Sequence, residues 1–108
     1  MDITGWQAQL RKGAAELAVL AALRRGELYG LQILGLVSEV VSEGALYPLL
    51  NRLERDGKLI ARWSLDAGSA HPRKYYTLSP DGAAIAAEMI RHWGEFKGAV
   101  AQIVEDSA

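Results

Sequence analysis

The sequence predicts a mainly helical fold with a small β-hairpin, and three observations carry that prediction. Residues 42–56 make a helix with one leucine face and one polar face. Two β-favouring runs follow, separated by turn residues. A last, long helix then carries apolar residues at a period of about 3.5, the spacing of a coiled-coil seam.

Taken in order, Ile3 to Arg11 reads as a short amphipathic helix with Trp6 and Leu10 as an i,i+4 pair, capped by Asp2 or Thr4. Ala14 to Arg25 reads as a separate helix with Leu17, Val19, Leu20, Ala21 and Leu23 inward. Arg24 and Arg25 suit its C-terminal dipole, and Gly26 stops it. Residues 27–30 form a short bridge. The next helix runs from about Leu31 to Glu39 on Ile33, Leu34 and Val37, and Val40 and Val41 lead to Ser42, an N-cap.

At about 100° per residue, Leu46, Leu49, Leu50 and Leu53 share one face of the following helix, and Tyr47, Asn51, Arg52 and Arg55 share the other. Pro48 breaks a regular helix begun at Ser42, so residues 43–47 are expected as a lead-in turn and the main helix as starting near Pro48. Gly57 ends it. A polar outer face is often simply solvated. Asn and Arg are also the side chains that pair bidentately with adenine and guanine, which makes this the candidate reading helix for duplex DNA.

Leu59 to Leu65 and Arg73 to Leu78 read as strands, joined by turn chemistry over residues 66–72. Ser79 then caps a final helix with Pro80 at its first position and Asp81 at its positive end. Three helices followed by a two-stranded wing make a winged helix-turn-helix, assigned to residues 1–79, with residues 80–108 as a dimerisation helix.

Met89, Trp93, Phe96, Val100 and Ile103 recur at spacings of four, three, four and three on that helix. From Pro80 to about Val104 it spans roughly 37 Å at 1.5 Å per residue, too long to lie wholly on so small a core. The stripe is therefore read as a homodimer seam. Met89, Trp93 and Phe96 near the crossing either line a space for a flat hydrophobic ligand or fill the dimer core. On these residues alone, filling the core is the preferred reading.

Composition sets the outer bounds. A chain of 108 residues with half of them apolar makes one folded domain. There is no cysteine, no run of membrane-spanning length and no basic-then-apolar leader at the start, so a cytoplasmic protein with no membrane association is expected. Net charge is −1, but residues 51–80 carry a balance of +3 and residues 81–108 a balance of −3, which implies one cationic face. His71 and His92 have no partner pattern for a triad or a metal site, and the glycines form no nucleotide fingerprint. An enzyme, a metal site and a bound cofactor are therefore not expected. A winged helix that binds protein without specific DNA recognition is the alternative, since fold does not settle function.

Two stretches resemble a known family. Gly44-Ala45-Leu46-Tyr47-Pro48-Leu49-Leu50, Arg52-Leu53-Glu54 and Gly57, then Pro72-Arg73-Lys74-Tyr75-Tyr76-Thr77-Leu78-Ser79-Pro80-Asp81-Gly82, are similar to the recognition helix and wing of the PadR-type transcriptional regulators. The likeness runs from about Leu10 to the end. The single C-terminal helix is similar to the small subfamily that includes multidrug-binding repressors. The resemblance implies a homodimeric, ligand-responsive repressor on palindromic duplex DNA. It implies that Tyr47, Asn51 and Arg52, with Arg55 beside them, face DNA, and that Arg73 and Lys74 contact phosphate. It places Trp93 where the multidrug-binding members stack planar drugs. Two positions depart: Ala45 replaces a usual Thr or Ser, which implies the loss of a hydroxyl contact to DNA, and Leu31-Gln32 replaces an aromatic-Glu pair.

Overall fold

Asp2 accepts a hydrogen bond from the Thr4 amide at 2.9 Å and opens the first helix, which in this computed structural model runs unbroken from Ile3 to Ala22 (α1). The structure describes residues 2–65 and 71–107. The two separate helices expected on either side of residue 13 are therefore one. A lone glycine costs a helix only about 1 kcal/mol relative to alanine, and the Ala, Leu, Gln, Arg and Lys around Gly13 favour continuation. A single 3-10 turn, Leu23–Arg25, ends the run before Gly26, whose φ of 127° is a left-handed-side conformation that suits glycine.

Next come a two-residue strand, Leu28–Tyr29 (β1), and a helix, Gly30–Val37 (α2). Helix α3 spans Glu43–Arg55, strand β2 Leu59–Ser64, strand β3 Arg73–Leu78 and helix α4 Pro80–Asp106. Of the turn expected at residues 66–72, residues 66–70 lie outside the described residues. The sheet is antiparallel in the order β1-β3-β2, with Leu28 opposite Tyr76 and Tyr29 opposite Tyr75, and with β2 and β3 in register from Leu59–Leu78 to Ser64–Arg73. The wing thus has a third strand where only a bridge was expected, because two residues are too few to show any alternation.

Pro48 lies inside α3, which starts at Glu43 and not near Pro48 as expected. The cap explains why. Ser42 Oγ accepts from the Ala45 amide at 3.2 Å and fixes the first turn. Proline then removes one amide whose carbonyl partner would be that of Gly44, a first-turn residue that is exposed to water.

Leu46, Leu49, Leu50 and Leu53 are all buried, as the leucine face predicts. They meet Val19, Leu20, Ala22 and Leu23 from the first helix and its turn, Ile33 and Val37 from α2, and Val41, Leu59, Tyr76 and Ala86. Ala21 and Leu17, expected inward, are only partly buried, and Ala22 takes the inward place. Among the described residues no helix is long and apolar enough to cross a membrane.

The start of helix α4 is fastened to the turn between α3 and β2. Ser79 Oγ donates to the Gly57 carbonyl at 2.6 Å and accepts from the Gly82 amide at 2.9 Å, and the Ser79 amide donates to the Lys58 carbonyl at 3.0 Å. Gly82 sits so close to that turn that a Cβ would lie 1.9 Å from the Lys58 carbonyl oxygen. Gly82→Ala should therefore destabilise the protein by about 3 kcal/mol or more, because the obstacle is backbone. Gly35→Ala, where nothing lies within 4 Å, should stabilise it by up to about 1 kcal/mol. Urea denaturation midpoints of the two variants test the contrast.

Candidate nucleic-acid interface

The polar side of α3 does not face one surface. Tyr47 and Asn51 open into a groove of 440 Å³ against the sheet, where Arg73 and Lys74 arrive from β3, Tyr29 from β1 and Trp63 from β2. Arg52 and Arg55 lie on the opposite flank, in a groove of 600 Å³ shared with Arg11 and Lys12 of α1. The six residues expected to face DNA are thus split four and two by the ridge of α3.

Gly30 makes the first groove possible. A Cβ there would come within 2.8 Å of the Tyr47 ring, so the absent side chain lets that ring lie against the start of α2. Leu31 lines the same groove and is exposed, and the Gln32 side chain accepts from the Tyr29 amide at 3.0 Å. The Leu31-Gln32 pair therefore still supplies the capping contact at this helix start.

Cross-strand register builds the wing's charge pattern. On the core-facing side, Lys74 lies opposite Trp63, its ammonium 5.8 Å from that ring and 5.5 Å from Tyr76. Its ion pair with Glu54 of α3 at 2.9 Å ties the wing to the helix and holds the lysine above its ordinary range, so it is charged at neutral pH. Burial pushes the Tyr76 phenol up. On the outer side, the Arg73 guanidinium lies 4.6 Å from the Tyr29 ring, Tyr29 meets Tyr75 edge-on at 5.5 Å, and Arg62 covers Tyr75 at 4.8 Å. Arg62 also grips Glu27, at 2.7 Å from Nε, and its hydrogen bonds lower that carboxyl's pKa.

The cationic middle of the chain is therefore largely neutralised from within. Lys58 pairs with Glu16 at 3.2 Å, and Arg52 lies 3.6 Å from Glu16 and 3.9 Å from Asp56. Only the linear order of charges is visible in the sequence, and Glu16 and Glu27 reach these cations from distant positions. Trp63, Tyr29 and Glu54 were missed as site residues. The period-two alternation of Leu59, Ala61 and Trp63 was the signal for the first of them.

A second surface runs along α4 and α1. Met89 is partly buried against its own core, whereas Trp93 is 42 % exposed, Phe96 64 % and Ile103 71 %, with Val100 also exposed. Leu10 of α1 lines one groove with Trp93, Phe96, Val100 and Val104, and Ile3 and Trp6 extend this apolar face. Neighbouring His92 lies 3.7 Å from Glu88, whose carboxyl Arg91 holds below its usual range.

A family model for the transcriptional regulator PadR-like family matches residues 19–88. The chain belongs to the PadR-like family of transcriptional regulators. These are DNA-binding regulators and not enzymes. A PadR family regulator from Eggerthella lenta is 28% identical with a TM-score of 0.78, over 95% of this chain and 92% of that one. A PadR-like transcription factor from Bacteroides fragilis is 33% identical with a TM-score of 0.72, over 92% and 98%. The PadR of Bacillus subtilis, solved in complex with operator DNA, is 26% identical with a TM-score of 0.65, over 71% of this chain and 45% of that one. The matched PadR-like segment contains Tyr47, Asn51, Arg52, Arg55, Arg73 and Lys74, and it ends just before Met89 and Trp93.

The Gly30–Tyr47 contact can be tested by a double-mutant cycle. Gly30→Ala should cost about 1–2 kcal/mol in a background that keeps Tyr47, through forced displacement of the ring. Most of that cost should vanish in a Tyr47→Ala background. Equal costs in both backgrounds would show that the ring does not depend on the glycine.

Proposed function

We propose that this PadR-like chain is a homodimeric, ligand-responsive repressor of transcription that binds palindromic duplex DNA. The observation that carries the reading is the shared groove of Tyr47, Asn51, Arg73 and Lys74 between α3 and the wing. A helix seated in the major groove presents Asn51 to base edges, with Tyr47 beside it, while wing cations meet the adjacent phosphates. Arg52 and Arg55 on the other flank of α3 reach the backbone on that side. The operator complex of the Bacillus subtilis relative supports a DNA role for this fold.

Dimerisation is assigned to the exposed seam of Trp93, Phe96, Val100 and Ile103, with Met89 at its base, so that residues 1–79 bind DNA and residues 80–108 join the subunits. The support is an apolar face that runs across α4 and the start of α1 and that the described residues leave exposed. A two-fold dimer then sets its reading helices about 34 Å apart, one turn of DNA. A planar hydrophobic effector entering near Trp93, Phe96 and Met89 releases DNA if it binds one dimer geometry more tightly than the other. A soluble cytoplasmic protein completes this reading.

Fluorescence anisotropy over a salt series, with duplex DNA from upstream of the protein's own gene against a scrambled duplex, tests the DNA assignment. Specific binding with a steep salt slope is expected. Arg73→Glu with Lys74→Glu should lower affinity tenfold or more and flatten the slope by about two phosphate contacts. Unaltered affinity would remove the wing from the mechanism, and equal weak binding to both duplexes would favour a protein-binding winged helix.

The dimer assignment has its own check. Phe96→Asp with Ile103→Asp should convert a dimer to a monomer in sedimentation velocity while the far-ultraviolet spectrum stays helical. Trp93→Ala should leave DNA binding intact and abolish release by planar hydrophobic compounds. A persisting response would place the effector elsewhere.

A further inference from the structure

The groove on the other flank of α3 has an aliphatic floor and two α1 cations that the DNA reading does not use. We infer that it is a binding site for an amphiphilic organic anion, a small molecule with an apolar body and one anionic head. At 600 Å³ it lies within the range of small-molecule sites, which are concave, mostly apolar and marked by a few convergent polar groups. Its floor is aliphatic: Ala15 from α1, Val40 and Val41 from the α2–α3 connection, and Ala45 and Leu49 from α3. Val41 and Leu49 belong to the buried core, so the floor is rigid.

The rim is cationic on both sides. Arg11 and Lys12 stand on α1, and Arg52 and Arg55 face them from α3. Arg11, Lys12 and Arg55 make no ion pair among the described residues, and Arg52 reaches its two carboxylates only at 3.6 and 3.9 Å. The acids that approach this rim are Glu16 and Asp56, and Glu16 also serves Lys58 at 3.2 Å. An anionic head placed between α1 and α3 thus meets three cations with no ion-pair partner among the described residues, and its apolar body has an aliphatic floor to cover. A phosphate backbone would use the rim and leave the floor wet, so the concavity favours a small amphiphile over DNA.

The site shares no lining residue with the grooves around Trp93. Because Arg52 and Arg55 also belong to the proposed DNA face, an occupant would weaken DNA binding. That consequence rests on the repressor reading, whereas the binding site itself does not.

The test is a titration of the full chain with 8-anilinonaphthalene-1-sulfonate, followed by amide nitrogen-proton correlation spectra. Shifts at Val40, Val41 and Ala45 are expected, with the dissociation constant read from those shifts raised tenfold or more in Arg11→Glu with Lys12→Glu. Both charge-reversed positions are exposed, and the Arg11→Ala and Lys12→Ala pair gives a milder variant with the same direction of effect. Shifts confined to residues 89–96, or an affinity that ignores the charge reversals, would overturn the site. DNA binding is measured with and without the probe. Loss of DNA affinity on adding the probe is expected to need a higher probe concentration in the charge-reversed variant than in the wild type. Absence of any specific DNA binding before the probe is added would count against the repressor reading and leave the site standing.

Discussion

Ser79 holds three parts of the molecule to one another. Its hydroxyl donates to the carbonyl of Gly57 at the end of α3, and its amide donates to the carbonyl of Lys58 at the entrance to β2. The same hydroxyl caps α4 through the Gly82 amide. The site is buried, so each of these polar groups would cost about 1–3 kcal/mol if left without a partner. Gly82 makes the close approach possible. The direction of α4 is therefore fixed relative to α3 and the wing by hydrogen bonds to backbone groups, which deform less readily than contacts between side chains. Any assembly made through α4 inherits that direction, and with it the placement of α3.

Helix α3 divides its duties by angle. Its leucines seal the core, Tyr47 and Asn51 look to the wing, and Arg52 looks to α1. Arg52, Lys58 and Lys74 near it are already paired with carboxylates of the same chain. Exposed pairs of this kind contribute about 0–1 kcal/mol, so a phosphate oxygen can replace the carboxylate at little cost in stability. The Lys74–Glu54 pair differs because it also sets the distance between wing and helix, and Trp63 and Tyr76 pack around its ammonium. In the proposed DNA-binding role, such cations would be kept ordered beforehand by the chain's own carboxylates, at the expense of some raw attraction.

The parts legible in the sequence were those set by local rules. The leucine face of α3, the Ser42 and Ser79 caps, the span of β3 and the start of α4 all follow from periodicity and capping, and each stands where those rules put it. Local rules also misled where a single residue had to outweigh its neighbours. Gly13 did not divide α1, because a lone glycine costs less than its alanine-rich surroundings contribute, and Pro48 did not delay α3, whose Ser42 cap acts together with four buried leucines. What stayed hidden was long-range. The pairing of Glu16 with Lys58 spans 42 positions and that of Glu27 with Arg62 spans 35, and no periodicity reports such contacts. The split of the polar α3 face is hidden for the same reason, since it depends on where α1 and β3 pass.

The apolar face of α4 and α1 then takes its meaning from the junction at Ser79. Helix α4 has 27 residues, about 40 Å, while its buried residues, Gly82 and Ala86, lie in its first turns. The remainder carries Trp93, Phe96 and Ile103 into solvent beside Leu10 and Trp6, and the molecule is 55 Å long but only 22 Å in its narrowest direction. Rings of that size left in water forfeit roughly 1.5–3 kcal/mol each, so a second apolar surface laid on them has a large driving force. With α4 joined to α3, a small rotation between two such helices at Trp93 in the proposed dimer would become a larger displacement at the far α3. A ligand that favours one rotation over another would thereby act on DNA spacing without touching the DNA-facing residues, which requires only unequal affinity for the two geometries.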